Sequence, residues 1–330
     1  VRRELSVDLI KSVAIFGVVF IHGSYLFSCD GEYWAVIAQC FHFGVPSFII
    51  IWAMYMEKSW SKQPASAGHW SLFLKKKLFP LIRIYLFWSL LYFLITANWN
   101  TLTVQTMITK HSLGYGWSGQ YFIIILFQLL LLFPVLRWIY ARRSLYYIFT
   151  ILSFLLYVLY GYGFESLPSI LVKTGRLPFF LWVVYVFAGI SMAKPNMLRP
   201  NLAMVLLLPL IPLEWIWVNS QELEYLSYVL PSVLIGSVVL CLVLVKRGIN
   251  YKKSLLTDTI HYVGSRTMTI FVANPLVIIM LDSLFPDVRF GCESIFGEVL
   301  AYLLTTTLVL GICLLIERLI AKVGLKGIIN

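Results

Sequence analysis

Charge is what this 330-residue chain has least of. Only 12% of its residues are Asp, Glu, Lys or Arg, against roughly 25% in a soluble domain. No apolar–polar alternation runs through its apolar segments, which excludes a transmembrane barrel. No CxxC pair and no metal-ligand spacing occurs among five cysteines, so neither a thiol redox motif nor a metal site is expected. There is no low-complexity segment and no clear internal repeat. The longest stretches between apolar runs, 57–77, 97–118 and 246–266, are too short for a soluble domain.

What fills the chain instead is apolar surface. Hydrophobic residues make up 60% of it and the mean hydropathy is +0.85. A water-soluble fold of this length could not hide that much, so part of the solvent must be lipid. Backbone polar groups in hydrocarbon are all satisfied only in helices and closed barrels. Runs such as Val13–Ile21 and Leu202–Ile211 are continuous, so helices are expected. Crossing a bilayer takes about 20 helical residues. By that rule the chain is one all-α transmembrane unit over 1–330. About ten spans are expected, at 5–27, 33–56, 78–97, 119–138, 144–161, 177–193, 201–218, 225–245, 267–285 and 296–317. The first reads as a retained span rather than a cleaved signal, since it carries Asp8, Lys11 and His22.

Lys and Arg set the orientation. With the N-terminus inside, 20 of the 26 basic residues fall in inside segments and four, Lys110, Lys173, Arg176 and Arg289, in outside ones. Lys11 and Arg83 lie within spans. That asymmetry favours N-in, C-in and an even number of spans. The net charge of +11 is therefore mainly a topology signal. It is spread over loops rather than gathered in a basic domain, which argues against nucleic-acid binding. Cys29 and Cys292 both fall in outside loops, where an oxidising compartment would allow them to pair. Cys40, Cys241 and Cys313 read as packing residues.

Ionisable groups inside spans are costly and mark function by default. The first span is densest. Glu4, Asp8, Lys11, Ile15, Val18, His22 and Tyr25 follow a helical rhythm. Lys11 and His22 are close to three whole turns apart, on one face and separated by roughly 16 Å along the axis. Asp8, one turn below Lys11, is placed to pair with it. The stripe thus offers a cation near the inside and a titratable base near the outside. The structural alternative is a packing His, with a Lys that snorkels or pairs with Asp8.

The segment "RRELSVDLIKSVAIFGVVFIH", with Arg3, Asp8, Lys11, Ala14, Val18 and His22, resembles the first helix of the membrane acyltransferase-3 family. Its hallmark is Arg or Lys, ten residues, then His. Later segments resemble the family in the same order: His42–Met56, with its Gly-Val-Pro; the basic start Lys75–Trp88; Gly119–Arg137, ending near Pro134; Gly175–Gly189; and Val263–Leu276. Departures are Trp52-Ala53 where Ser-Gly is usual, no His-x-Trp at Gly119–Tyr121, and Asn274 at a place often held by His.

The resemblance implies transfer of an acyl group, commonly acetyl from acetyl-CoA, to a hydroxyl of a polysaccharide or lipid-linked glycan at the outer face. It also implies a multi-pass protein of a bacterial cytoplasmic (inner) membrane, in contact with membrane lipid. CoA is polyanionic, so Lys11, Arg83, Lys75, Lys76 and Lys77, all toward the inside, are candidates to hold its phosphates. Asp8, Lys11 and His22 are the candidate catalytic set. His22 would act as general base or as an acyl-accepting nucleophile, which the sequence does not separate. Arg176, Gln120, Tyr121, Asn274 and His42 are the candidates for substrate or oxyanion contacts. Bland readings stand beside these: Gln120 and Tyr121 as interfacial anchors, Gln128 and Asn274 as helix bridges, and His42 as a partner for backbone groups freed at the Gly44–Pro46 break. Glu214 and Asp282 are expected to be solvated at helix ends. His69, His111 and His261 are expected in loops. The alternative function is export of a polysaccharide or its precursor. No pair of broken helices at matching positions supports that alternative.

Overall fold

Long apolar runs fold as helices because, in lipid, a helix satisfies its own backbone. The computed structural model describes residues 4–26, 32–62, 67–97, 103–194, 201–247, 254–285 and 295–324. In chain order its α-helices are α1 (Leu5–His22), α2 (Glu32–Cys40), α3 (Gly44–Trp60), α4 (Ala67–Thr96), α5 (Val104–Ser112), α6 (Gln120–Ala141) and α7 (Arg143–Tyr162). They continue with α8 (Ser169–Thr174), α9 (Val183–Ala193), α10 (Leu210–Ser220), α11 (Pro231–Arg247), α12 (Leu255–Gly264), α13 (Thr267–Leu284) and α14 (Ile295–Lys322). Among the described residues, eight helical stretches are long and apolar enough to cross a membrane. Two shorter apolar ones, Phe179–Ala193 and Pro231–Val245, fall at the sixth and eighth expected spans. The chain is a polytopic helical bundle. Cys29 and Cys292 lie outside the described residues, and Cys40, Cys241 and Cys313 are free thiols.

Three boundaries differ from expectation. The second span is two helices, with a break at residues 41–43. Pro46 has no N–H to give the His42 carbonyl, so it fits the first turn of a new helix and not the middle of an old one. Tight packing fixes the restart, because a Cβ added at Gly44 would stand 2.9 Å from the Ala14 carbonyl oxygen on α1. The third span starts early: α4 runs from Ala67, so Lys75–Lys77 lie on a helix, not in a loop. Lys is a good helix former, and Trp70 and Phe73 anchor that turn against Trp60, with ring centroids 5.2 and 5.3 Å away. Finally, His69, His111 and His261 belong to α4, α5 and α12 and not to loops.

The helices sort into an inner and an outer set. In α1, in 34–60 and in α13, more than half of the span is buried within the protein. In 202–220 the buried share is 11%. α1 packs on α3, α12 and α13. Small residues permit the closest approaches: a Cβ at Gly189 of α9 would meet the Ile50 carbonyl of α3, and one at Gly264 of α12 would meet the backbone of Asp8. Ion pairs Lys58–Glu4 (3.0 Å), Arg137–Glu57 (2.8 Å) and Arg266–Glu317 (3.0 Å) gather at the end of the bundle that holds the N-terminus of α1. We call that the basic end. Glu214 is not simply solvated. It accepts the Ser232 N–H at 2.8 Å and the Tyr162 hydroxyl, tying α7, α10 and α11 together. Asp282 is exposed.

Candidate active site

At the far end α1 finishes in His22, and a cavity of ≈730 Å³ opens beside it. His22, His42, Ser118, Tyr121, Arg176 and Tyr228 line it, with Trp34, Trp117, Tyr115 and Tyr225 adding aromatic faces. Five different segments of the chain thus converge on one space. Such a mixture of ring faces and a few polar groups suits a polyhydroxylated ligand, because CH-rich sugar faces pack on rings while hydroxyls find partners.

The His22 ring is held from both sides. Nδ1 lies 2.6 Å from Asn274 Oδ1, and Nε2 lies 3.2 Å from Ser118 Oγ. The Asn274 amide fixes the tautomer. Its Nδ2 donates to the carbonyls of Ile270 (3.0 Å) and Phe271 (2.8 Å), so Oδ1 is the atom turned to His22. Oδ1 can only accept. Nδ1 therefore carries the proton, and the lone pair of Nε2 faces Ser118 and the cavity.

Asn274 has this geometry because Pro275 interrupts the backbone ladder of α13 there, without ending the helix. Pro275 lacks the N–H that would have bonded the Phe271 carbonyl, and the Asn274 amide takes that carbonyl instead. The next rung is opened by a side chain from α4. Tyr92 Oη donates to the Val272 carbonyl and accepts from the Leu276 N–H, both at 2.8 Å. The Tyr92 ring also stacks on Trp117 at 5.0 Å and 12°. One buried tyrosine thus supports the helix that holds Asn274 and the loop that holds Ser118.

The other expected residues fall in two groups. Arg176 and Tyr121 are in the cavity. The Arg176 guanidinium lies over the rings of Tyr121 (4.7 Å) and Tyr228 (5.2 Å), and the Arg176 carbonyl accepts the Trp182 indole N–H at 2.8 Å. His42 also reaches the cavity. Its Nδ1 bonds the Ala38 carbonyl, one turn back in α2, at 3.0 Å. Gln120 is fully buried behind the wall instead. Its Oε1 accepts the Gly116 N–H at 2.7 Å, and its Nε2 donates to Ser89 (2.8 Å) and to His111 Nδ1 (3.0 Å). Burial first, then neighbouring Lys110, hold His111 below the ordinary imidazole pKa, so it is neutral and accepts. Gln120 and Asn274 have both amide N–H groups committed, so neither has a donor left for an oxyanion. Gln128 bridges as expected, to the Leu177 carbonyl and the Phe179 N–H, both at 3.1 Å.

At the basic end, Lys11 Nζ lies 3.7 Å from Asp8 Oδ1, the pairing that their spacing predicted. The second Asp8 oxygen bonds His261 Nδ1 at 2.7 Å. Lys11 also lines a second, smaller cavity of ≈180 Å³ walled by Trp52, Tyr55, Phe122, Met268 and Phe271. Phe271 stands between the two cavities, since it lines the smaller one and a Cβ at Gly119, which lines the larger, would be 3.0 Å from its ring. Arg83 and Lys75–Lys77 are not brought to Lys11. All four are exposed on α4 and line neither cavity.

Ser118, Tyr92 and His261 were missed in the sequence. The only local signal for Ser118 is the glycine pair around it, Gly116 and Gly119, the latter at φ +89°. Among the described residues no group of three or more His, Cys, Asp or Glu side chains is gathered as metal ligands would be. A family model described as an acyltransferase domain, that of the acyltransferase-3 family, matches residues 4–318. No curated protein and no solved structure matches the chain.

Proposed function

The chain belongs to the membrane acyltransferase-3 family, and from that premise we propose that it is an O-acyltransferase of a cell-envelope glycan. It moves acetyl from acetyl-CoA, presented at the basic, cytoplasmic end, to a hydroxyl of a polysaccharide or lipid-linked sugar at the far face. The membrane is the bacterial cytoplasmic membrane, with both termini inside, a reading supported by the distribution of Lys and Arg.

One observation carries the chemistry: His22 is oriented by Asn274 with its unprotonated Nε2 toward Ser118 and the large cavity. A lone pair so placed takes the proton of a hydroxyl as that hydroxyl attacks the thioester carbonyl. The same proton then passes to the sulfur as the C–S bond breaks. Asn274 positions His22 rather than contacting the oxyanion. Arg176, in the same cavity, is the cation available to the negative charge that develops on the carbonyl oxygen. The aromatic faces suit the sugar. Lys11, paired with Asp8 beside the apolar pocket, is the contact for the anionic end of the donor. Arg83 and Lys75–Lys77 drop out of this role because they are exposed and line neither cavity.

The test is transfer of radiolabel from acetyl-CoA to a panel of envelope glycans by the purified full chain. Wild type should label an acceptor. His22→Ala should not, while keeping its gel-filtration profile. Undiminished transfer by His22→Ala would overturn the assignment.

A further inference from the structure

The hydroxyl that meets the unprotonated nitrogen of His22 belongs to the protein itself. Ser118 Oγ lies 3.2 Å from Nε2, and the tautomer set by Asn274 makes the serine hydroxyl the donor in that bond. Ser118, His22 and Asn274 therefore form a continuous relay of hydroxyl, imidazole and amide oxygen, drawn from the 113–119 loop, α1 and α13. This is the arrangement by which a base activates a hydroxyl nucleophile, with an amide in place of the usual carboxylate. Ser118 is exposed to the cavity, so a substrate carbonyl can reach it.

The loop that presents Ser118 is fixed on both sides. Gly119 takes φ +89° and lies against Phe271. Gly116 is bonded through its N–H to Gln120. Trp117, between them, is buried and stacked on Tyr92. Tyr92 in turn closes the broken rung of α13 beside Asn274. A surface serine in contact with a histidine by chance would not need its loop and its partner's helix braced by one buried side chain. The cavity adds an argument from size. At ≈730 Å³ it matches the space one drug-sized ligand occupies, within the ordinary range of about 300–1,000 Å³. That leaves room for the reacting end of a substrate beside Ser118.

We infer that Ser118 is the nucleophile and carries the acyl group between donor and acceptor, an inference that rests on the acyltransferase reading above. In the first half-reaction Ser118 gives its proton to His22 Nε2 as Oγ bonds the thioester carbonyl carbon. The C–S bond breaks, and CoA leaves as the thiol with the proton from Nε2. In the second half, the acceptor hydroxyl gives its proton to Nε2 and its oxygen attacks the serine ester. The bond from Oγ to the acyl carbon breaks, and Oγ recovers the proton. CoA is gone before the glycan occupies the cavity.

The experiment uses the detergent-purified full chain and radiolabelled acetyl-CoA without acceptor, followed by acid quench and peptide mapping. Label bound to the peptide that holds Ser118, discharged on adding the glycan acceptor, supports the inference. Ser118→Ala should lose that label, and its transfer rate should fall by at least about 10²-fold. Ser118→Cys should retain a label, now as a thioester that neutral hydroxylamine releases; this variant guards against a mere folding defect in the alanine form. Label found on His22, or full transfer by Ser118→Ala, would overturn it. Transfer that needs His22 but not Ser118 sinks this inference and leaves the proposed function standing. No transfer and no label from acetyl-CoA would sink both.

Discussion

Lys11 and His22 sit on one stripe of one helix, yet the two ends of α1 are built on opposite plans. At the basic end the polar groups cancel one another: Asp8 is shared between Lys11 and His261, and the adjoining space is small and apolar. At the far end they are set in sequence. Ser118, His22 and Asn274 pass one hydrogen-bond direction inward from a large aromatic cavity. Compensated charge suits holding an ion that arrives from water, whereas an ordered chain of donors and acceptors suits moving a proton. The comparison teaches that the same residue class serves binding or chemistry according to whether its partners neutralise it or aim it.

Substitutions at four positions test that contrast, in falling order of effect. His22→Ala should cut the transfer rate by roughly 10²–10⁴-fold, the range of a positioned general base. An effect confined to KM would move His22 to the binding side. Asn274→Leu leaves the imidazole in place but frees its tautomer. We expect kcat to fall by about 10²-fold, the low end of that range, with KM for the donor unchanged. Asn274→Asp keeps an acceptor for Nδ1 and should recover much of the rate. A role in helix packing alone would predict no such recovery. Lys11→Met should raise the donor KM by roughly 10-fold, as expected when one charge-assisted contact is lost, and leave kcat nearly alone. A fall in kcat equal to that of Asn274→Leu would erase the division between the two ends. Arg83→Ala, on the exposed face of α4, should change the donor KM by no more than about twofold. A larger rise would bring α4 into the donor site.

The fold was largely legible because each crossing needs its own apolar run, and run length survives in the sequence as such. The break before α3 was visible for a local reason, the Gly44-Val45-Pro46 that follows it, and so was the Asp8–Lys11 pair, since the two lie one turn apart. The site was legible only in part. His22 and Asn274 are 252 positions apart, and Asp8 and His261 are 253 apart. Helical periodicity says which face a side chain shares with its own helix. It does not say which other helix covers that face. Hence the sequence marks Asn274 as a polar group in a span but does not show its bond to His22, and it does not show that His261 meets Asp8. Gln120 and Arg83 show the converse. Their chemistry suggested function, but packing commits the first to bracing its own loop and turns the second outward.

Phe271 has a consequence beyond the reaction. A cell that stores energy across its membrane cannot tolerate a protein with a continuous thread of water through it, and this one has hollows on both sides of its core, the larger of them polar. Each elementary charge that leaked would dissipate about 2.3 kcal/mol per 100 mV. Rings of Phe48, Phe122 and Phe271, in contact at centroid distances of 6.3 and 5.0 Å, place an apolar constriction where such a thread would have to pass. Water empties from constrictions of this kind. The same ring that divides the two cavities thus acts as the insulation of the bilayer, continued through the protein.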